Sequence, residues 1–212
     1  CVMADPQDIT IKQGKTFIRV LRWETAPVVR KPITGISLAF GAPRMDVVGH
    51  GLTNGWRAYV SRVKGMINLN AQNNPPRASD FHPCTVIDPN TVEFNDVTPV
   101  DSNGREWPAW TEGGFLEYNT PVDLTGYTAR IKIKNKVGGT VLASNDSADE
   151  ALNVINVTID NAAKTITLTI AASATDDFAW TKGVYELEMV SASAVVTDVM
   201  SGNVTVTKEV AT

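Results

Sequence analysis

Residues 127–134 read Tyr-Thr-Ala-Arg-Ile-Lys-Ile-Lys. Ala129, Ile131 and Ile133 fall on one side of an extended chain, and Arg130, Lys132 and Lys134 on the other. That period of two marks a strand with one buried face. Working outward, 152–160 and 164–170 (KTITLTI) alternate in the same way, and Asp160-Asn161-Ala162-Ala163 joins them as a hairpin turn. The stretches 184–190 and 203–210 continue the pattern with Val, Thr and Tyr, which suit a pleated surface. The helical candidate in this half, 171–178, is long enough for a turn or two only. Short strands separated by turn residues predict a sandwich or a small barrel.

Toward the start, 8–12 and 15–24 (KTFIRVLRWE) are also strand-like, with Gly14 at the break between them. From Ile33 the texture changes to short β segments at 42–48, 56–63, 83–87, 91–95 and 115–118, set among glycines, prolines and asparagines. The stretch 68–80 (NLNAQNNPPRASD) is a loop by its turn residues. Composition divides the chain as well. All 11 prolines lie at or before Pro121, and four of the five tryptophans fall in the first 120 residues. Residues 1–120 hold 12 basic and 12 acidic side chains, and 121–212 hold 7 and 11. Two modules are expected.

With 212 residues, 43% apolar and 20% charged, the chain is long enough to bury a core without staples. Its net charge of −4 argues against nucleic acid as a partner, because phosphate binding calls for a basic surplus. No apolar run reaches the roughly 20 residues that span a bilayer, so no membrane is expected as a partner either. Cys1 and Cys84 make no disulfide framework and are read as reduced thiols.

Residue types that carry chemistry are sparse. Gln13-Gly14-Lys15-Thr16 ends like a phosphate-binding loop, but Ile9 stands where that loop needs glycine, and Lys15 opens a strand. His82-x-Cys84, with His50 as a third, falls short of a zinc site, which wants four ligands or three plus water. Glu186 and Glu188 alternate with Tyr185, Leu187 and Met189, which places them on the solvated face of a strand. No nucleophile–histidine–acid pattern stands out. The expectation is a protein without catalytic residues, cofactor or metal. Trp107-Pro108-Ala109-Trp110 is the best aromatic anchor for a partner, or else two tryptophans that close their own module's core. The runs at 8–12 and 202–210 both alternate near chain ends, so one of them is expected at a sheet edge, guarded by Lys12 or Lys208.

Two sets of residues resemble known modules. Gly49-His50-Gly51-Leu52, Asn54-Gly55-Trp56, Val63-Lys64-Gly65-Met66 with Leu69-Asn70, then Thr85-Val86, Thr91-Val92-Glu93 and Gly113-Gly114 follow in order. This order resembles a small β-module of bacteriophage virion proteins, one similar to the first catalytic-cysteine half-domain of ubiquitin-activating enzymes. The likeness implies a β-fold and no ubiquitin chemistry, and it does not make Cys84 catalytic. The flanks resemble the immunoglobulin-like sandwich of phage tail and baseplate proteins. They comprise the lead strand at 8–23, the Pro121-Val122-Asp123-Leu124-Thr125-Gly126 turn with the strand after it, and the closing strands from Gly183.

Because the lead strand precedes the glycine-rich module and the Asp-Leu-Thr-Gly turn follows it, the arrangement implied is an insertion. The fold expected is all-β, an immunoglobulin-like β-sandwich from 1–33 and 120–212 with a small β-barrel-like module at 34–119 inserted in it. The resemblance implies a non-enzymatic virion component made in the bacterial host cytoplasm, of tail, baseplate or fibre-adaptor type. Its partners would be other virion proteins and repeated copies in cyclic symmetry. A capsid decoration protein and a carbohydrate-binding module of a phage tail are the alternatives.

Overall fold

The computed structural model describes residues 7–209, so Cys1 and Val210 lie outside the described residues. Among these residues the chain forms sixteen strands, short 3-10 turns and one five-residue helix. In chain order the strands are β1 (Ile9–Lys12), β2 (Phe17–Leu21), β3 (Glu24–Pro32), β4 (Gly35–Ser37), β5 (Arg44–Asp46) and β6 (Arg57–Ser61). They continue with β7 (His82–Pro83), β8 (Thr85–Asp88), β9 (Thr91–Glu93), β10 (Phe115–Pro121) and β11 (Thr128–Lys134). The last are β12 (Val141–Ser144), β13 (Ile155–Asp160), β14 (Thr165–Ile170), β15 (Lys182–Val190) and β16 (Val196–Thr207), with α1 (Ala172–Asp176) between β14 and β15. The fold is all-β.

The chain divides into two compact units. One runs to Trp23 and resumes at Pro121; the other takes Glu24–Thr120. The first crossing therefore falls ten residues before the 33/34 position read from the sequence, because 15–24 is not one strand. The chain breaks at Arg22–Trp23, and β3 joins β10 in a sheet of the second unit. Within the first unit Val122 N donates to Trp23 O at 3.0 Å, so the chain leaves and re-enters that unit at adjacent points.

The first unit is a two-sheet β-sandwich. Five strands run in the order β1-β16-β15-β11-β12 and three in the order β13-β14-β2. The alternation in 127–134 does what its pattern dictates: Ile131 and Ile133 are buried, while Arg130, Lys132 and Lys134 face outward. Opposite them on β15, Tyr185, Leu187 and Met189 point to the same core. Each aliphatic side chain fully buried there contributes roughly 1.5–3 kcal/mol. The β13–β14 turn is closed by Asp160, whose Oδ1 accepts from Ala162 N at 2.8 Å and Ala163 N at 2.9 Å. A bulge in β16 shifts the register so that Leu187 faces Met200 and Glu188 faces Asp198. Consecutive Val199 and Met200 are then both buried, which no strict alternation allows.

The second unit holds two four-stranded sheets, β3-β10-β6-β7 and β4-β5-β9-β8, and neither closes into a barrel. Its core gathers Trp56, Phe94, Met45, Met66 and Leu116 with Cys84. Its strands are short and its loops long, and buried polar groups fix the loops. Asp80 Oδ1 accepts from Gln72 N at 2.8 Å, and Oδ2 accepts from Arg77 N at 2.7 Å and Asn73 Nδ2 at 3.0 Å. Those bonds hold the Asp80 carboxyl below the usual carboxylate range.

Candidate functional site

Of the two runs near the chain ends, β1 forms one edge of the five-stranded sheet, whose other edge is β12, and the closing strand is interior. β16 lies between β1 and β15, paired parallel with the former and antiparallel with the latter. Lys12 ends the edge strand and is exposed. Lys208 stands one residue beyond β16, which has neighbours on both sides and so presents no edge for that lysine to guard.

Backbone direction on β1 follows from its ends. Gln7 N donates to Ser201 O at 2.8 Å and Gln13 N to Thr207 O at 2.9 Å. With a period of two, the amides of Ile9 and Ile11 also face β16, and those of Asp8, Thr10 and Lys12 face away from it. Gly202 permits this seating, since a Cβ there would stand 2.7 Å from Gln7 O.

The outer face of the same sheet forms an open groove of about 820 Å³. Arg130, Lys132 and Lys134 line one side and Glu186, Glu188 and Asn203 the other. Arg130 pairs with Glu188, and Lys132 Nζ reaches Asp146 at 3.0 Å and Asp149 at 2.9 Å. Glu186 and Glu188 are thus members of a charged outer face, as their alternation indicated. At the β11–β12 hairpin tip, Val137 is 88% exposed and forms part of the groove's rim.

Trp107 and Trp110 are both half-buried and pack against the second unit's core. Their segment is held close to the glycine turn at Gly65, where a Cβ would collide with Ala109 O and stand 2.9 Å from Thr111 N. Trp110 Nε1 donates to Gly113 O at 2.9 Å. Of the two readings of this pair, the core-closing one matches its placement.

The histidines and the cysteine do separate jobs. His50 is buried; its Nδ1 accepts from Leu52 N at 3.0 Å, so Nε2 carries the proton and donates to Asp88 O at 2.8 Å. His82 Nδ1 lies 3.0 Å from Asp96 Oδ2. Cys84 is a free thiol, 1% exposed, and burial, reinforced by the Asp96 charge, pushes it up to about 12. Among the described residues no three His, Cys, Asp or Glu side chains converge as metal ligands.

Sequence reasoning missed a buried carboxylate. Glu117 on β10 is 4% exposed although its neighbours Leu116 and Tyr118 already fill the core face. Its Oε2 accepts from Arg30 Nη2 at 3.1 Å and Tyr59 OH at 3.0 Å, and Oε1 accepts from Ser61 Oγ. Burial alone would raise the Glu117 carboxyl, but the bonds from Ser61, Arg30 and Tyr59 outweigh it and hold it below the usual range. Tyr59 is pushed up to about 12, first by burial and then by Glu117. A general acid or base works best with a pKa near the operating pH. Here both groups are driven away from neutrality, which suits a fixed charge bound by fixed donors. Neither a protein-family model nor a curated protein matches the chain.

Proposed function

We propose that this protein is a non-enzymatic structural component of a bacteriophage particle, of tail, baseplate or fibre-adaptor type, made in the host cytoplasm and acting through protein–protein interfaces. The ordered glycine turns and alternating strands of the sequence support the virion assignment. The observation that carries the interface is β1, a four-residue edge strand with the amides of Asp8, Thr10 and Lys12 turned away from its partner β16. A strand of a neighbouring virion protein, or of a further copy in a cyclic array, completes that edge by main-chain hydrogen bonds. Lys12 discourages indiscriminate pairing there.

Thr10→Pro tests this. Proline removes an outward amide while sparing the bonds to β16, and edge strands tolerate it. The variant is expected to fold with an unchanged unfolding midpoint and to be lost from assembled particles at least tenfold. Particles that carry it at wild-type copy number would sink the edge mechanism.

A further inference from the structure

The sandwich has four edge strands, β1 and β12 in the larger sheet and β13 and β2 in the smaller. An open edge invites a further strand unless charge, proline or short length protects it. β1 is four residues long and ends in the exposed Lys12, and β13 turns Asn156, Thr158 and Asp160 to solvent. β12 has no exposed residue. β2 is different. Among the described residues it pairs with β14 alone, and its exposed side chains are Ile18 and Val20, at 61% and 49%.

Register sets those two aliphatic residues at the end of an uncharged face. Ile18 lies opposite Thr169 and Thr169 opposite Asn156, while Val20 lies opposite Thr167 and Thr167 opposite Thr158. The outer face of the larger sheet, by contrast, carries Arg130, Lys132, Glu186 and Glu188. On the inner side of β2, Phe17 and Leu21 pack with the sandwich core, and Arg19 between them reaches Gln7 Oε1 at 3.4 Å. The outward side of β2 therefore has no guard of its own.

The residue pattern says what completes this edge. Turned end for end about Ile18, the run 16–20 (TFIRV) meets itself in a matched register. Ile18 then faces Ile18 of a second copy and Thr16 faces Val20, so that β-branched side chains pair along the outer face. Phe17 faces Arg19 on the inner side, where a ring can receive a guanidinium. Turning the strand about Arg19 instead would set two arginines opposite one another, which is unfavourable. A two-fold pairing uses the same strand of both copies and closes on itself. The two three-stranded sheets become one, bounded at both ends by β13 with its polar outward residues, so a third copy finds no apolar edge.

We propose that two copies of this chain associate through antiparallel pairing of their β2 edges about Ile18. A contact of this length falls short of the roughly 1,200–2,000 Å² of standard stable interfaces, so the dimer is weak and reversible. The proposal uses a different strand from the particle edge at β1, and its test reads the isolated chain.

Sedimentation velocity of the full chain from about 10 μM to 1 mM is expected to show a concentration-dependent dimer and nothing larger. Ile18→Lys sets like charges opposite each other and is expected to weaken that dimer at least about tenfold. Its unfolding midpoint should not move, because the position is exposed. Ile18→Glu should behave in the same way. An equimolar mixture of the two variants should recover the association, because position 18 of one copy faces position 18 of the other. Thr10→Pro, which blocks β1, should leave the dimer unchanged. The proposal is overturned by a monomer across the whole range or by a dimer that Ile18→Lys leaves intact. A mixture that stays monomeric, or a dimer that Thr10→Pro abolishes, overturns it equally.

Discussion

Among the described residues, every buried His, Asp or Glu lies in the second unit. In the first, the described ion pairs Arg130–Glu188 and Lys132 with Asp146 and Asp149 lie on the outer face of a sheet whose inner face is aliphatic. In the second, His50, Asp80, Glu93 and Glu117 are all buried. The reason is strand length. β15 and β16, of nine and twelve residues, satisfy their backbone through ladders, so side chains can be sorted by face alone. The second unit has strands as short as two residues, and its loop amides need side-chain acceptors inside the fold. Long ladders make a sandwich tolerant, whereas buried polar hubs make a loop-rich unit brittle.

The sharpest way to break that contrast is to damage one core and watch the other. Trp56 is fully buried in the second unit, and its Nε1 donates to Asn119 O at 3.2 Å. Trp56→Ala is expected to cost about 3–5 kcal/mol. That is enough to unfold one marginally stable unit while the sandwich keeps its own transition. The surviving transition should match that of a chain in which Glu24–Thr120 is replaced by a short Gly/Ser linker, since Trp23 O and Val122 N already meet at 3.0 Å. Calorimetry checks both. A single transition that moves as a whole would mean that the two cores melt as one.

A smaller effect tests the hub itself. Glu117→Gln keeps the shape but removes the charge that Arg30, Tyr59 and Ser61 bind, and should cost about 1–3 kcal/mol. The folded carboxyl sits below its unfolded value of about 4.3. Its contribution is therefore complete above that pH and is lost as acid carries the protein down through the folded value. The gap between wild type and variant should close in acid. A pH-independent gap would show that Glu117 acts through packing and not through charge.

How much of this was legible depended on whether periodicity or context decides. The strand at 128–134 and the β13–β14 hairpin were readable because one face packs on the core and the other does not. The first seven residues of β16 were not, because the bulge at Val199 and Met200 breaks the alternation that would have announced them. The run at 15–24 hid a break, since Arg22-Trp23 looks as strand-like as its neighbours. At the candidate sites, place in the chain left open which of the two terminal runs forms an edge; β1, which carries Lys12, lies at one, and β16, which Lys208 follows, does not. Alternation puts Glu117 on the strand face opposite Leu116 and Tyr118, where a carboxylate is ordinarily solvated. Its burial comes from Arg30, Tyr59 and Ser61, brought up by β3 and β6, and no local pattern encodes those neighbours.

The smallest effect separates the units at high pH. Cys84 is a buried filler whose backbone bridges Gly55 and Trp56, with Gly55 N on Cys84 O at 2.7 Å and Cys84 N on Trp56 O at 2.7 Å. Those bonds survive side-chain truncation, so Cys84→Ala should cost only about 1 kcal/mol. The thiol is held at about 12 in the folded protein, against about 8.5 when unfolded. The folded state therefore keeps its proton longer, and the stability this represents is full below pH about 8.5 and drains as pH rises toward the folded value. Tyr59 in the second unit and Tyr185 in the first, both pushed up to about 12, add the same kind of loss only above the ordinary tyrosine value of about 10. Between about pH 8.5 and 10 the second unit alone should weaken, and Cys84→Ala in a Cys1→Ser background should abolish that early loss while leaving the later one. Urea midpoints of the two transitions, taken across this range, measure it. An equal early decline in both units, or one that survives Cys84→Ala, would mean that the alkaline sensitivity has another source and that the thiol is no part of what makes the second unit brittle.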